Sequence, residues 1–453
     1  MPQTLKKYLI PAVLLLLGII AASILLPIEQ AEVDHQLIGY PDSDKQAHDL
    51  RVWLLGALCI LPFIGSVIYQ CLGTMDRYLV RSFLNSFLIC FGALFIIMFL
   101  EDLQDNLSDF KQSDSVLSIM VRHYITKLPA LIVFILPYSL MLSLLWCLGK
   151  LSRSQEIVSM IQTGRSVTRI VAPLVGFGLF CTVTCHIFNY YWAPNADRLE
   201  AEILLEAKGE TVSAANAVAY QNHDDSRHWF VGTFPFAHSQ GAPLESVIIY
   251  FIDEKKGITK ALYSEKATWS KDTKLWTLSK PTIYDSTKPV IPDMPSITKS
   301  QEDLVVDWKE TPWQIIKPGL KAPYLGIPGL KSWLANHKEN PLSDKRSYLT
   351  HLYYRFAQPF ICLITILLAA PLGIVFTRRG LGGGVAVAIF LCAGMIFCST
   401  VFPTLGESGH LPPFIAAWAT NILFTLIALY LFRRRMTGQP IYQIIKNLIP
   451  SSE

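Results

Sequence analysis

Gly149-Lys-Leu-Ser-Arg-Ser-Gln-Glu-Ile-Val-Ser-Met-Ile-Gln-Thr-Gly-Arg-Ser166 lies between two long apolar runs and carries Lys150, Arg153 and Arg165. Basic residues concentrate in the short cytoplasmic loops of membrane proteins, so this stretch reads as a cytoplasmic connection between two spans. Ile157, Met160 and Ile161 follow the i, i+3, i+4 spacing of one helix face, with Ser154, Gln155 and Glu156 beside them. A short amphipathic helix in such a loop suits docking to a cytoplasmic partner.

Outward from this loop, the composition is that of a polytopic membrane protein: of 453 residues, 51% are hydrophobic and only 16% charged, and mean hydropathy is +0.36. Eight segments are long enough to cross a hydrocarbon core: about 8–26, 52–69, 83–100, 128–149, 170–192, 356–376, 385–403 and 411–432. Each is expected to be helical, because a span must satisfy its own backbone hydrogen bonds. Every second loop is basic: Lys6 and Lys7, then Arg77 and Arg81, then Lys150 to Arg169, then Arg378 and Arg379, then Arg433, Arg434 and Arg435. The alternate loops are acidic or large, with Glu29, Glu32 and Asp34 in one and Glu101, Asp102 and Asp105 in another. Both termini are therefore expected in the cytoplasm. The first span has a rival reading as a signal peptide, but it is long for one and no clean small-x-small site follows, so a retained span is expected.

Residues 194–351 are polar and large enough to fold as an extracytoplasmic domain. Period-two alternation with β-formers recurs at 229–234, 246–252, 258–269, 274–284 and 303–308, with turns at 253–257 and 270–274. Regularly spaced short strands point to a sandwich or jelly roll. A linker rich in Pro and Gly over 318–341 contains a short amphipathic helix near 330–337 and leads back to the membrane.

The chemistry-bearing patterns are few. The nine cysteines fall in or beside apolar runs, giving neither a disulfide framework nor metal-ligand spacing. Gly380-Leu-Gly-Gly-Gly384 lacks the Lys-Ser/Thr of a phosphate loop and reads as a tight turn with close helix packing. Glu407 and His410 invite a metal or acid–base reading, but without a third ligand nearby they read as a structural turn. The spans carry almost no ionisable residue, which argues against an ion-coupled carrier. No ATP-binding motif is present, no catalytic constellation stands out, and no cofactor is expected; the chain reads as no enzyme, with energy supplied by a partner.

Several strings, in order, resemble the lipopolysaccharide export permease family of the LptF/LptG type, from about Met75 to Arg435. They are Met75-Asp-Arg-Tyr-Leu-Val-Arg81, Leu148-Gly-Lys-Leu-Ser-Arg-Ser-Gln-Glu-Ile157 through Gly164, Trp192-Ala-Pro194, Arg355-Phe-Ala-Gln-Pro359, Ala370-Pro-Leu-Gly373, Arg378-Arg-Gly380, and Gly406-Glu-Ser-Gly-His-Leu-Pro-Pro413 before Ala416-Ala-Trp418. The resemblance implies a polytopic α-helical protein of the bacterial inner membrane: three spans at 75–193, a periplasmic jelly-roll-like β domain at 194–351, three spans at 352–435 and a cytoplasmic tail at 436–453. Two extra spans, 1–74, precede the family core; in relatives a separate single-span subunit packs near the first family helix. It further implies one permease half of an ABC transporter. Its partners would be an LptB-like ATPase dimer, a sister permease and LptC/LptA-like bridge proteins, and its cargo lipopolysaccharide; no nucleic acid is expected.

On this resemblance the coupling helix, 150–166, contacts the ATPase through Glu156, with Gln155, Arg153, Met160 and Gly164 as further candidates. Arg122 and Lys127 stand on the extracytoplasmic side against the charge trend, and with Arg355 they are candidates for meeting lipid phosphates. Plain interfacial snorkelling is the alternative for the first two. Two other functions stay open: export of a different envelope glycolipid, and a non-transporting scaffold or mechanotransmission protein. Whether this is an F-type or G-type half is also open.

Overall fold

With no water to bond an exposed backbone, apolar segments in a membrane close their own hydrogen bonds as helices. Among the residues described by the computed structural model, eight helices are long and apolar enough to cross a membrane. Those residues are 3–36, 42–111, 115–208, 213–222, 226–235, 242–253, 257–270, 273–286, 296–316, 321–336, 341–374 and 382–436. Arg378 and Arg379, the first residues of the glycine run and the tail beyond 436 fall outside them, as do parts of the turns expected at 253–257 and 270–274.

The order is α1 (Gln3–Gln36), α2 (Asp42–Cys71), α3 (Thr74–Phe110), α4 (Val116–Arg153), α5 (Glu156–Gln162), α6 (Val167–Tyr190) and α7 (Trp192–Ala207), then eight strands. After the strands come α8 (Pro312–Ile316), α9 (Ile327–Asn336), α10 (Leu342–Ala357), α11 (Ile361–Gly373), α12 (Gly382–Glu407) and α13 (Pro413–Met436). The helices outrun the apolar segments, and the interval 194–351 is not all β. Its first residues continue as α7, whose sequence is rich in the strong helix formers Ala, Leu and Glu. Its last ones already belong to α10, and among the described residues the strands lie between Ser213 and Val306.

Lipid tails are as apolar as leucine, so close packing rather than water exclusion selects helix neighbours in a membrane. The central pair is α4 and α11. Leu140, Met141, Leu144 and Leu148 of α4 and Ile366, Leu368, Ala369 and Ala370 of α11 are fully or almost fully buried in one core. The approach depends on Gly373, where a Cβ would stand 2.9 Å from the Leu148 Cβ. Between α10 and α11 the chain makes a 3₁₀ turn at Gln358–Phe360. Pro359 cannot donate the bond that the Arg355 carbonyl would receive in a continuous helix; the Asn189 side chain of α6 donates there instead, at 2.8 Å.

The two leading helices are fastened to this bundle. Arg51 of α2 and Glu29 of α1 form a buried ion pair. The Arg51 guanidinium lies 3.3 Å over the Tyr191 ring, Trp192 Nε1 donates to Glu29 at 3.2 Å, and the Tyr190 hydroxyl donates to the Ala47 carbonyl at 2.8 Å.

The strands β1 (Ser213–Asn222), β2 (Arg227–Pro235), β3 (Leu244–Asp253) and β4 (Gly257–Trp269) form an antiparallel meander. The outer edge of β4 is shared: its last residues pair β5 (Trp276–Leu278), its earlier ones β6 (Thr282–Asp285). β7 (Ser296–Lys299) then pairs β6, and β8 (Leu304–Val306) pairs β5. The core holds Trp229, Val231, Phe234, Val247, Ile249 and Trp276. One carboxylate organises its rim. The almost fully buried Glu310 accepts from Arg227 at 2.7 and 3.0 Å and from Trp229 Nε1 at 3.4 Å, and its carbonyl accepts from Trp276 Nε1 at 2.7 Å. Glu310→Gln keeps the shape and removes the charge. We predict a loss of about 1–3 kcal/mol in the β domain, read as an earlier melt by tryptophan fluorescence; an unchanged melt would show the network to be dispensable.

Candidate functional site

The coupling segment begins where α4 ends at Arg153. Gln155 turns the chain with φ of +61°, a left-handed conformation that a residue with a Cβ resists. The next residue, Glu156, opens α5, whose apolar side faces inward: Ile157 and Met160 are buried in the bundle core and Ile161 packs against it. Arg153, Gln155, Ser159 and Gln162 are exposed. Met160 thus fastens the helix to its own bundle and offers no side chain to a partner.

Glu156 is half-buried and held by two donors, the Tyr78 hydroxyl of α3 at 2.7 Å and the Ser154 hydroxyl at 2.8 Å. Two further bonds fix the segment: Arg165 pairs with Asp76 at 2.7 Å, and Ser152 donates to the Gly373 carbonyl at 3.4 Å. Tyr78 had stood out only as part of the string that opens α3; nothing local ties it to a residue 78 positions on. The helix ends at Gly164 with φ of +85°. The Gly164 N–H bonds the Ile161 carbonyl at 2.9 Å and the Arg165 N–H bonds the Met160 carbonyl at 3.3 Å, the two bonds of a Schellman cap. A Cβ at Gly164 would meet nothing within 4 Å, so only the backbone angle demands glycine there. Gly164→Ala is expected to cost about 1–2 kcal/mol locally, measured as faster hydrogen exchange across 156–165; unchanged exchange would reject the cap's importance.

At the opposite end of the bundle, three helices bring charges together. Lys127 of α4 bridges Asp102 of α3 and Glu200 of α7. The buried His123 ring, four residues before it, reaches Asp102 at 3.1 Å and lies edge-on to Phe110 and Tyr124. The ligand atoms of Asp102, His123 and Glu200 lie within 4.8 Å of one another, a donor set a cation could use. In this geometry the Lys127 ammonium already joins the two carboxylates. Lys127 therefore faces protein carboxylates, and Arg122 is exposed beside it. The cluster was not visible in the sequence, because only folding brings Asp102, the His123/Lys127 pair and Glu200 to one place.

Arg355 is almost completely buried. Its guanidinium donates to Asn189 at 3.3 Å and to the Pro323 carbonyl, joining α10 to α6 and to the neck, the 3₁₀ turn Ala322–Tyr324 between the strands and α9. Burial raises the Asp197 carboxyl above its ordinary range, opposed by the charge of Arg355, while Glu200 raises it further and Lys127 lowers it. Glu407, read together with His410, instead bonds His351 of α10; His410 bonds Ser408 at 2.8 Å.

A rigidly seated helix presents polar groups at one end, and ion pairs tie the helix that leads into the β domain at the other. Compared with known protein families, residues 77–434 match the lipopolysaccharide export system permease LptF/LptG. Among known proteins, the chain is 24% identical over 370 residues to the lipopolysaccharide export system permease protein LptF of Escherichia coli (strain K12), covering 78% of this chain and 93% of that one. It is 24% identical over 374 residues to the permease protein LptG of Haemophilus influenzae, covering 80% and 99%. It is 21% identical over 373 residues to LptG of Escherichia coli (strain K12), covering 81% and 99%. The helices α1 and α2 precede the matched residues.

Proposed function

The chain belongs to the lipopolysaccharide export permease family LptF/LptG, and from that membership we propose that it is one permease half of an ATP-driven exporter. It sits in the bacterial inner membrane as a multi-pass export permease. In this reading a cytoplasmic ATPase dimer of the LptB kind engages the coupling segment. A sister permease completes the cavity, lipopolysaccharide enters it sideways, and the β domain hands the lipid to periplasmic bridge proteins of the LptC/LptA kind. The basic loops support an orientation with both termini in the cytoplasm and the β domain in the periplasm.

The observation that carries the reading is the seating of α5. Ile157 and Met160 anchor it in the core while Arg153, Gln155 and one side of Glu156 remain outward. A helix fixed in this way passes a push from a partner into α4 and the central α4–α11 pair without slack. Glu156 is the proposed anchor for a partner arginine, because a half-buried carboxylate already oriented by Tyr78 and Ser154 loses little freedom on binding. Met160 and Gly164 act by holding the helix. Arg122 remains the proposed lipid-phosphate contact; Lys127 and Arg355 serve the path by fixing α7 and the neck.

The test is purification of this chain from its native membrane in mild detergent, with partners and bound lipid identified by mass spectrometry. We expect an ATPase, a related permease and a lipid A-bearing lipid in fixed ratio. A chain that emerges alone and lipid-free, yet stable, would overturn the exporter reading in favour of a scaffold.

A further inference from the structure

Between α2, α3 and α6 lies a groove of about 600 Å³, away from the charge cluster; its polar end borders the coupling segment through Asp76, the partner of Arg165. Its walls include Gly65 and Ile68 of α2, Val80 and Leu84 of α3, and Gly176 and Phe180 of α6. Glycine shapes it. At Gly65 a Cβ would stand 3.1 Å from the Phe180 ring, so α2 closes tightly on α6 there. At Gly176 a Cβ would meet nothing within 4 Å, so that position looks onto open space.

One end differs from the rest. Asp76, Arg169 and Leu72 line it, and the Leu72 carbonyl accepts from Arg77 Nε at 2.8 Å, which leaves the terminal nitrogens of Arg77 for another acceptor. Asp76 is paired with Arg165. Arg169 is exposed, and its side chain makes no ion pair among the described residues. Arg169 thus stands beside the Asp76–Arg165 pair at the mouth of an otherwise apolar groove.

We propose that this groove binds an anionic phospholipid of the surrounding membrane, its phosphate on Arg169 and an acyl chain between α2, α3 and α6. The charge is complementary to a phosphate headgroup, and the depth of the lining to hydrocarbon. A partner's spanning helix fits less well: a helix is about 10–12 Å across with 5.4 Å per turn, so this volume takes little more than about one turn. Of the groove's three walls, α2 lies outside the residues matched to the family, while α3 and α6 belong to the matched part.

The full chain, with the subunits that purify with it, is placed in vesicles of phosphatidylethanolamine and phosphatidylglycerol containing a phosphatidylglycerol with a diazirine on one acyl chain. After irradiation, labelled peptides are mapped by mass spectrometry. We expect labelling to concentrate at 65–84 and 169–180 and to be competed by unlabelled phosphatidylglycerol but not by phosphatidylcholine. Arg169→Glu is expected to lower it at least about tenfold, since the change replaces the cation that meets the phosphate with an anion that repels it. Gly176→Phe, which fills the groove without altering charge, is expected to lower it as well, with both variants melting as the parent does. Labelling spread evenly over the outward residues Leu88, Ile89 and Ile96, or unchanged in a folded Arg169→Glu variant, would overturn the site. So would a partner peptide cross-linked into the groove in native membranes.

Discussion

Glu156→Lys is expected to strip the ATPase from the permease and abolish export while the bundle stays folded. Glu156 is only half-buried and bonded by two hydroxyls, and the helix beneath it rests on Ile157 and Met160, so the substitution leaves the core untouched. Truncating one partner of a desolvated interfacial charge pair costs about 2–5 kcal/mol, and reversing the charge adds repulsion. That is a loss of roughly 30-fold or more in affinity. Co-purification of the ATPase, and stimulation of its hydrolysis by the permease, give the readouts. Tyr78→Phe removes one orienting bond and is expected to weaken assembly by about 1 kcal/mol, well short of the lysine. Full ATPase recovery with the Glu156→Lys chain would sink the assignment of this carboxylate.

Much of the architecture was legible because each signal was local. Apolar length marks a span, arginines mark a loop, and alternation at 229–234 and 258–269 marks β2 and β4. β1 escaped because Ser-Ala-Ala-Asn-Ala-Val-Ala-Tyr-Gln-Asn offers small residues in place of an alternation of large apolar and polar ones. The stretch 274–284 looked like one strand, yet Pro281 interrupts it and β5 and β6 pair different parts of β4. The coupling helix was legible from Ile157, Met160 and Ile161, but spacing does not say whether an apolar stripe meets a partner or the chain's own core. For Met160 the answer is its own core. Charged positions were hardest. Whether Lys127 faces a phosphate or two carboxylates depends on where α7 falls, and that is a property of the fold as a whole.

Arg51→Met is expected to be the most damaging single change in the leading helices. Arg51 is fully buried and is the cation opposite Glu29. Removing it leaves a buried carboxylate with the Trp192 indole as donor at 3.2 Å. Breaking a buried pair costs about 3–5 kcal/mol, whereas replacing both partners by well-packed apolar residues is often neutral. The double variant Glu29→Leu with Arg51→Met is therefore expected to recover most of the loss. Thermal unfolding, with hydrogen exchange of the 190–200 segment, separates the outcomes. Equal damage from the single and double variants would mean that packing on Tyr191, and not the charge pair, holds the hairpin.

A hairpin carried on the same chain as its dock obeys a different mass action from a subunit that must find it. Because α1 and α2 run directly into α3, their effective concentration at the α6 face is set by the link at Leu72 and Gly73, of the millimolar order that a short tether gives. Occupancy of that face then does not depend on expression level or dilution. A separate membrane helix competing for it must out-compete a tethered rival as well as break the Glu29–Arg51 clamp.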